Sequence, residues 1–135
     1  MSKTESIDLS AIEAAISRQD EGIDVPILGL DGKTPLGITI RVAGPDSARA
    51  IAAQEAQTDD LLERQDANKP TAKQLAERGI AYLARVTLDW SPVVKVDGED
   101  RAYSVENAEL LYRKFRFIRE QVDRAAGNRA RFMIG

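Results

Sequence analysis

Apolar positions along this chain recur with two different periods. Between Leu36 and Val42 they alternate, with Ile38, Ile40 and Val42 separated by Thr39 and Arg41. A period of two marks a strand with one buried face and one wet face. A second apolar run, Val25 to Leu30, precedes it, and Asp31-Gly32-Lys33-Thr34-Pro35 lies between them. Asp-Gly supplies positive φ at low steric cost, so the two runs predict a β-hairpin over 24–43. Pro26 fits a strand start or an edge, where no ladder N–H is needed.

Downstream the period lengthens to that of a helix. Gly44-Pro45-Asp46-Ser47 reads as a turn, with Asp46 or Ser47 capping a helix that runs from about 47 to 65. That helix is alanine-rich, its sizeable apolar contacts are Ile51, Ala52, Leu61 and Leu62, and its polar middle predicts half-exposure. Asp66 to Pro70 reads as a linker. Pro70-Thr71 then opens a helix expected over 70–89, with the stripe Leu75, Ala76, Ile80, Leu83, Val86, Thr87 and Trp90. Ser91-Pro92 stops it. A short strand-like piece, Val93 to Val96, meets a solvated turn at Asp97-Gly98-Glu99-Asp100. Ser104 is a good N-cap for a last helix over 104–126, with Ala108, Leu111, Tyr112, Phe115, Ile118, Val122 and Ala125 on one face. Gly127-Asn128 end it. Near the N-terminus, Asp8 to Arg18 predicts a short helix carrying Leu9, Ile12 and Ile16 on one face; the alternative for 1–22 is a loosely attached arm. The expected fold class is α+β: an N-terminal β-hairpin followed by a mostly helical bundle of three or four helices, with 23–135 as a single domain.

Composition narrows the chemistry. The chain has 135 residues, enough for one modest core. It has no cysteine and no histidine. Thiol nucleophiles, disulfides and zinc-thiolate sites are therefore excluded, as is histidine-dependent Ser or Cys catalysis. No signal-peptide pattern and no run long enough for a membrane span is present, so the expected location is the cytoplasm, away from membranes. From Arg113 onward seven basic residues face two acidic ones, a local charge of +5, which leaves −8 for the rest. Such a split suggests head-to-tail self-association or an acidic partner surface.

Three motifs resolve into bland readings. Gly32-Lys33-Thr34 ends as a phosphate-binding loop does, but Ile27 stands where that motif needs glycine, and Pro35 and a strand follow instead of a helix. A calcium loop beginning at Asp97 would need glycine at position six and glutamate at position twelve; Ala102 and Ala108 stand there. Asp59-Asp60 and Glu99-Asp100 are sequence neighbours that do not converge on a substrate. No catalytic, metal or cofactor-binding residues are assigned, and an enzyme is the least supported reading. The basic tail interleaved with aromatics is a weaker signal for nucleic acid, because Glu120 and Asp123 interrupt it. Trp90 and Phe132 read as packing residues. Phe117 lies off the apolar face of the last helix, and an aromatic beside arginines has the composition of an interface anchor.

The stretch from Val86 onward resembles the phage tail assembly chaperones, small tail-module proteins of long-tailed phages and prophages. The resemblance rests on Thr87-Leu88-Asp89-Trp90, Asp97-Gly98, Tyr103-Ser104-Val105-Glu106-Asn107-Ala108, Leu111-Tyr112, Ile118-Arg119-Glu120-Gln121-Val122-Asp123 and Arg129-Ala130-Arg131-Phe132. Upstream, Gly37 and Gly44-Pro45-Asp46-Ser47 are similar to that family's hairpin and turn. The chain departs from the pattern at Arg116-Phe117, where the family has Pro-Trp, and at Ala125-Ala126, where it has larger apolar residues. The resemblance implies a non-catalytic chaperone that binds the tape-measure protein, and tail-tube subunits as further partners, during tail morphogenesis. It requires no cofactor. The residues expected to meet a partner are Trp90, Tyr103, Phe115, Phe117, Arg116, Arg119, Arg129, Arg131 and Phe132. The rival readings are a minor structural protein of the tail or head–tail junction and, third, a small nucleic-acid-binding regulator.

Overall fold

A computed structural model describes residues 6–64 and 70–133. Helix α1 spans Ser10–Arg18 and continues as a 3₁₀ turn, Gln19–Glu21. Strands β1 (Ile23–Leu28) and β2 (Pro35–Val42) follow, then helices α2 (Ala48–Arg64) and α3 (Ala72–Val86). Next come strands β3 (Thr87–Ser91), β4 (Val94–Val96) and β5 (Glu99–Arg101), and helices α4 (Val105–Lys114), α5 (Arg116–Ala126) and α6 (Arg129–Met133). The fold is α+β, with the N-terminal β-hairpin leading into the helices as the sequence predicts. The expected linker at 66–70 lies almost wholly outside the described residues.

The hairpin forms for the stated reasons. Gly32 has φ +72°, and the Asp31 carboxylate accepts from the Lys33 and Thr34 N–H groups, both at 2.9 Å. Ile38, Ile40 and Val42 point into the core, as do Val25 and Ile27 of β1. Pro26 sits in an edge strand.

The partner on the other side of β2 corrects the sequence reading. Thr87 and Trp90 are not helical: α3 ends at Val86, and residues 87–91 pair antiparallel with β2. Ile40 faces Trp90, Arg41 faces Asp89, and Val42 faces Thr87, which leaves Leu88 as an extra residue in a β-bulge. A bulge shifts the phase of alternation. Thr87 and Trp90, three apart, therefore both point inward, and their spacing imitates a helix.

Two further corrections concern the helices. The single helix expected over 104–126 is two helices, broken at Phe115, whose φ −119° and ψ 86° are not helical. The apolar face survives the break, since Ala108, Leu111, Tyr112, Ile118, Val122 and Ala125 are all buried. In α2 the buried contacts are Ala50 and Ala53, whereas Ile51, Ala52, Leu61 and Leu62 are exposed. Small residues let α2 lie close on α3, and Gln57 Nε2 donates to the Arg78 carbonyl at 2.5 Å. Leu75 and Ala76, placed on the buried stripe of α3 by periodicity, are also exposed.

The turns and caps follow simple rules. Asp97 (φ 54°) and Gly98 (φ 79°) form a two-residue turn with positive φ at both positions, which closes the β4–β5 hairpin. Ser104 caps α4 by accepting from the Asn107 N–H at 3.0 Å. At α2, Ser47 Oγ accepts from the Ala50 N–H at 3.1 Å, and the Asp20 carboxylate accepts from Ala48 and Arg49, both at 3.2 Å. The core lies between the inner face of the β1–β2–β3 sheet and helices α3, α4 and α5. Among the described residues no helix is long and apolar enough to cross a membrane.

Candidate functional site

The inner face of β2 is longer than the helical cover above it. Ile38, Ile40 and Val42 share that face by alternation, which a register shift and Gly37 (φ 102°) interrupt before Leu36; Leu36 is 49% exposed while Ile40 and Val42 are fully buried. Beyond Ile38 the sheet becomes the floor of an open groove of about 350 Å³. Leu36, Gly37 and Ile38 form the floor, Pro92 and Val94 to Val96 one wall, and Leu111, Phe115, Phe117 and Ile118 the other. The helix break creates the second wall. Phe115 leaves the α4 axis before α5 begins, so its ring and that of Phe117 meet edge-on, with centroids 6.4 Å apart and planes at 85°. Lys95 is the one charged side chain of the lining, and Lys114 and Arg116 flank Phe115 in sequence. An apolar, aromatic-walled groove of this size takes up aliphatic side chains from a partner segment.

The residues expected to meet a partner divide into four groups. Phe115 and Phe117 are together at the groove, both half-buried. Trp90 and Tyr103 are internal instead. Trp90 is 6% exposed, packs edge-on to Tyr103 at 5.5 Å, and donates from Nε1 to the Arg101 carbonyl at 3.2 Å. Tyr103 donates its hydroxyl to the Thr87 carbonyl at 2.5 Å. The third group lies on α6, which packs against α1. There Phe132 is buried, Arg131 is exposed, and Arg129 holds the Asp46 carboxylate at 2.5 and 2.8 Å. The fourth group, exposed Arg116 and half-buried Arg119, lines a separate cavity of about 230 Å³ between α3 and α5. Periodicity missed Leu36, Pro92, Val94 and Lys95. The available signal was Leu36, apolar and of the same sequence parity as Ile38.

The basic tail is not an open cationic surface. Arg113 pairs with Glu77 at 2.9 Å, Lys114 with Asp97, Arg116 with Glu120 at 2.9 Å, and Arg129 with Asp46. The hydrogen bond from Arg113 holds the Glu77 carboxyl below its usual range, and that from Arg129 does the same to Asp46. These acids come from the −8 remainder of the chain and from α5 itself, so much of the charge split is neutralised within the fold.

Thr87, Tyr112 and Gln121, from the stretches that carry the resemblance, make internal bonds. The Thr87 hydroxyl donates to the Leu83 carbonyl at 2.8 Å and lies 2.6 Å from the Tyr112 hydroxyl. The Gln121 amide clamps Leu28 of the edge strand, accepting from its N–H and donating to its carbonyl, both at 2.8 Å. Gln19, buried under the Gly44–Asp46 turn, accepts from the Asp46 N–H at 2.7 Å. Among the described residues no group of three or more acidic side chains could hold a metal ion. No family model, curated protein or solved structure matches the chain.

Proposed function

We propose that this protein is a non-catalytic binding module that takes an amphipathic helix of a partner into the groove between β2, β4 and the α4–α5 break. The observation that carries this reading is the groove itself, an exposed apolar concavity walled by Phe115 and Phe117. The resemblance of residues 86–133 to phage tail assembly chaperones supplies the partner class: the tape-measure protein, a long helical chain with exposed apolar faces before the tail tube covers it, with tail-tube subunits as further partners. The host cell cytoplasm is the compartment in which such a chaperone works. The nucleic-acid reading loses ground because Arg113, Lys114, Arg116 and Arg129 are already paired with carboxylates.

The test has two arms. Segments of a tape-measure protein from a long-tailed phage or prophage that encodes this chain are titrated against the wild type and the Phe117→Ala variant. Binding weakened about tenfold or more by the truncation supports the groove, since a central aromatic anchor carries a large share of interface energy. Unchanged binding overturns it. Quantitative mass spectrometry then compares lysate with purified particles. Abundance in lysate and absence from particles supports the chaperone; a fixed copy number per particle replaces it with a structural tail protein.

A further inference from the structure

The apolar stripe of α3 outruns its cover. Ile80 and Leu83 are buried, but one turn earlier Ala76 and Gly79 are exposed. Leu75, one turn before Gly79 and next to it on the helix surface, is 54% exposed. Helix α5 packs on α3, and the two leave the cavity of about 230 Å³ between them, with Ala76, Gly79, Ile80 and Leu83 as its floor. Gly79 is the residue that opens it. Glycine inside a helix is less favourable than alanine, and nothing in this chain requires it here. Gly79 lies in the middle of α3, and a Cβ at this position would meet no atom within 4 Å. Alanine there would favour the fold. A helix-interior glycine that costs stability and admits no close neighbour of its own chain keeps space for something outside it.

Charge defines what fits. On the α5 side the cavity is edged by Arg116, Arg119, Glu120 and Asp123. Arg116 and Glu120 pair with each other at 2.9 Å, and Glu77 of α3 is taken by Arg113. Among the described residues Arg119 and Asp123 make no side-chain hydrogen bond or ion pair. Arg119 acts on Glu77, and Asp123 on Tyr82, through longer-range charge alone. The two stand one turn apart on α5, so the apolar floor is bordered by one open cation and one open anion. Arg119 is half-buried, and an ion pair made there is screened less than one in open solvent. We infer that the α3–α5 cavity binds a partner helix by one aliphatic side chain seated over Gly79, with a carboxylate beside it for Arg119 and a cation one turn away for Asp123. A helix offers that set as glutamate at i, leucine at i+3 and lysine at i+4. Residues 116, 119, 120 and 123 share one face of α5, and 117 and 118 lie off it. The site is therefore separate from the groove walled by Phe115 and Phe117 and does not depend on the reading of that groove.

The experiment is an NMR titration of the full isotope-labelled chain with a synthetic amphipathic peptide of about 15 residues that carries this glutamate–leucine–lysine set. The amides of Gly79, Ile80 and Arg119 should shift and saturate with a Kd below about 1 mM. Gly79→Ala should raise the urea midpoint of the chain, and Gly79→Leu, which fills the cavity, should weaken the peptide about tenfold or more. Arg119→Glu should weaken it as well, and a peptide with lysine in place of the glutamate should restore binding to that variant. Phe117→Ala should leave the affinity unchanged. A wild type whose Gly79 and Arg119 amides do not move overturns the inference. So does a Gly79→Ala chain with a lowered midpoint, since the glycine then serves the fold, or an Arg119→Glu chain that the lysine peptide does not rescue. Binding that Phe117→Ala abolishes and Gly79→Leu leaves intact assigns the peptide to the β2–β4–α5 groove: the inference fails and the groove reading stands.

Discussion

Substituting Thr87 and Tyr112 singly and together tests how the core is wired. Their hydroxyls are 2.6 Å apart, both side chains are fully buried, and Thr87 Oγ1 also donates to the Leu83 carbonyl. A hydroxyl has one proton, and that of Thr87 is committed to Leu83, so Tyr112 is the donor to Thr87. Burial pushes the Tyr112 phenol well above its usual range, which keeps that proton in place. Thr87→Val keeps the shape but strands the Tyr112 hydroxyl in the core, at a cost of about 1–3 kcal/mol. The Leu83 carbonyl still has the Thr87 backbone N–H. Tyr112→Phe removes the donor and leaves Thr87 bonded to Leu83, costing about 1 kcal/mol. The double variant strands nothing, so its cost should fall below the sum of the singles by about 1 kcal/mol or more. Urea unfolding of the four proteins, followed by the fluorescence of the single Trp90 and by circular dichroism, measures the cycle. Costs that add to within about 0.3 kcal/mol would refute the assigned donor and acceptor.

Gln121→Ala should cost about 1–3 kcal/mol by orphaning the Leu28 N–H and carbonyl, with a selective loss of amide-exchange protection at Leu28. Gly44→Ala should destabilise the seating of the N-terminal segment by about 1–3 kcal/mol, because a Cβ there would meet the buried Gln19 side chain at 2.4–2.8 Å; exchange at the Asp46 amide reports it. The hydrogen bond from the Thr34 hydroxyl, helped by the Thr34 and Lys33 N–H groups, lowers the Asp31 carboxyl from 3.8 to about 2. Since the folded value is depressed, the contribution of Asp31 to stability is complete above about 3.8 and is lost as pH falls towards about 2. Carboxyl NMR titration should find that low midpoint, and Thr34→Val should raise it; a midpoint near 3.8 in the wild type would contradict the turn geometry.

Local chemistry made several elements legible. Asp31-Gly32 and the alternation of Ile38, Ile40 and Val42 specify a hairpin and its inner face, because turn φ and side-chain parity are properties of a few adjacent residues. Ser104 as a cap and Asp97-Gly98 as a turn follow from the same local rules. The absence of cysteine and histidine set the bounds on chemistry before any fold was known. Phe117 was visible as an anchor composition, but neither its ring contact with Phe115 nor the groove wall they form was.

Tertiary structure decided what depends on distant partners. Nothing near Thr87 says whether it continues a helix; the open edge of β2 claims it for a strand, and the Leu88 bulge hides the change by keeping a spacing of three. Phe115 breaks the last helix without proline or glycine, so only the packing of α4 and α5 on different neighbours reveals the kink. The pattern marked Leu9, Ile12 and Leu36 as apolar, yet whether an apolar face finds cover depends on where the other elements end. Periodicity records which residues want burial; the length of the neighbouring helices determined which of them this chain leaves at the surface.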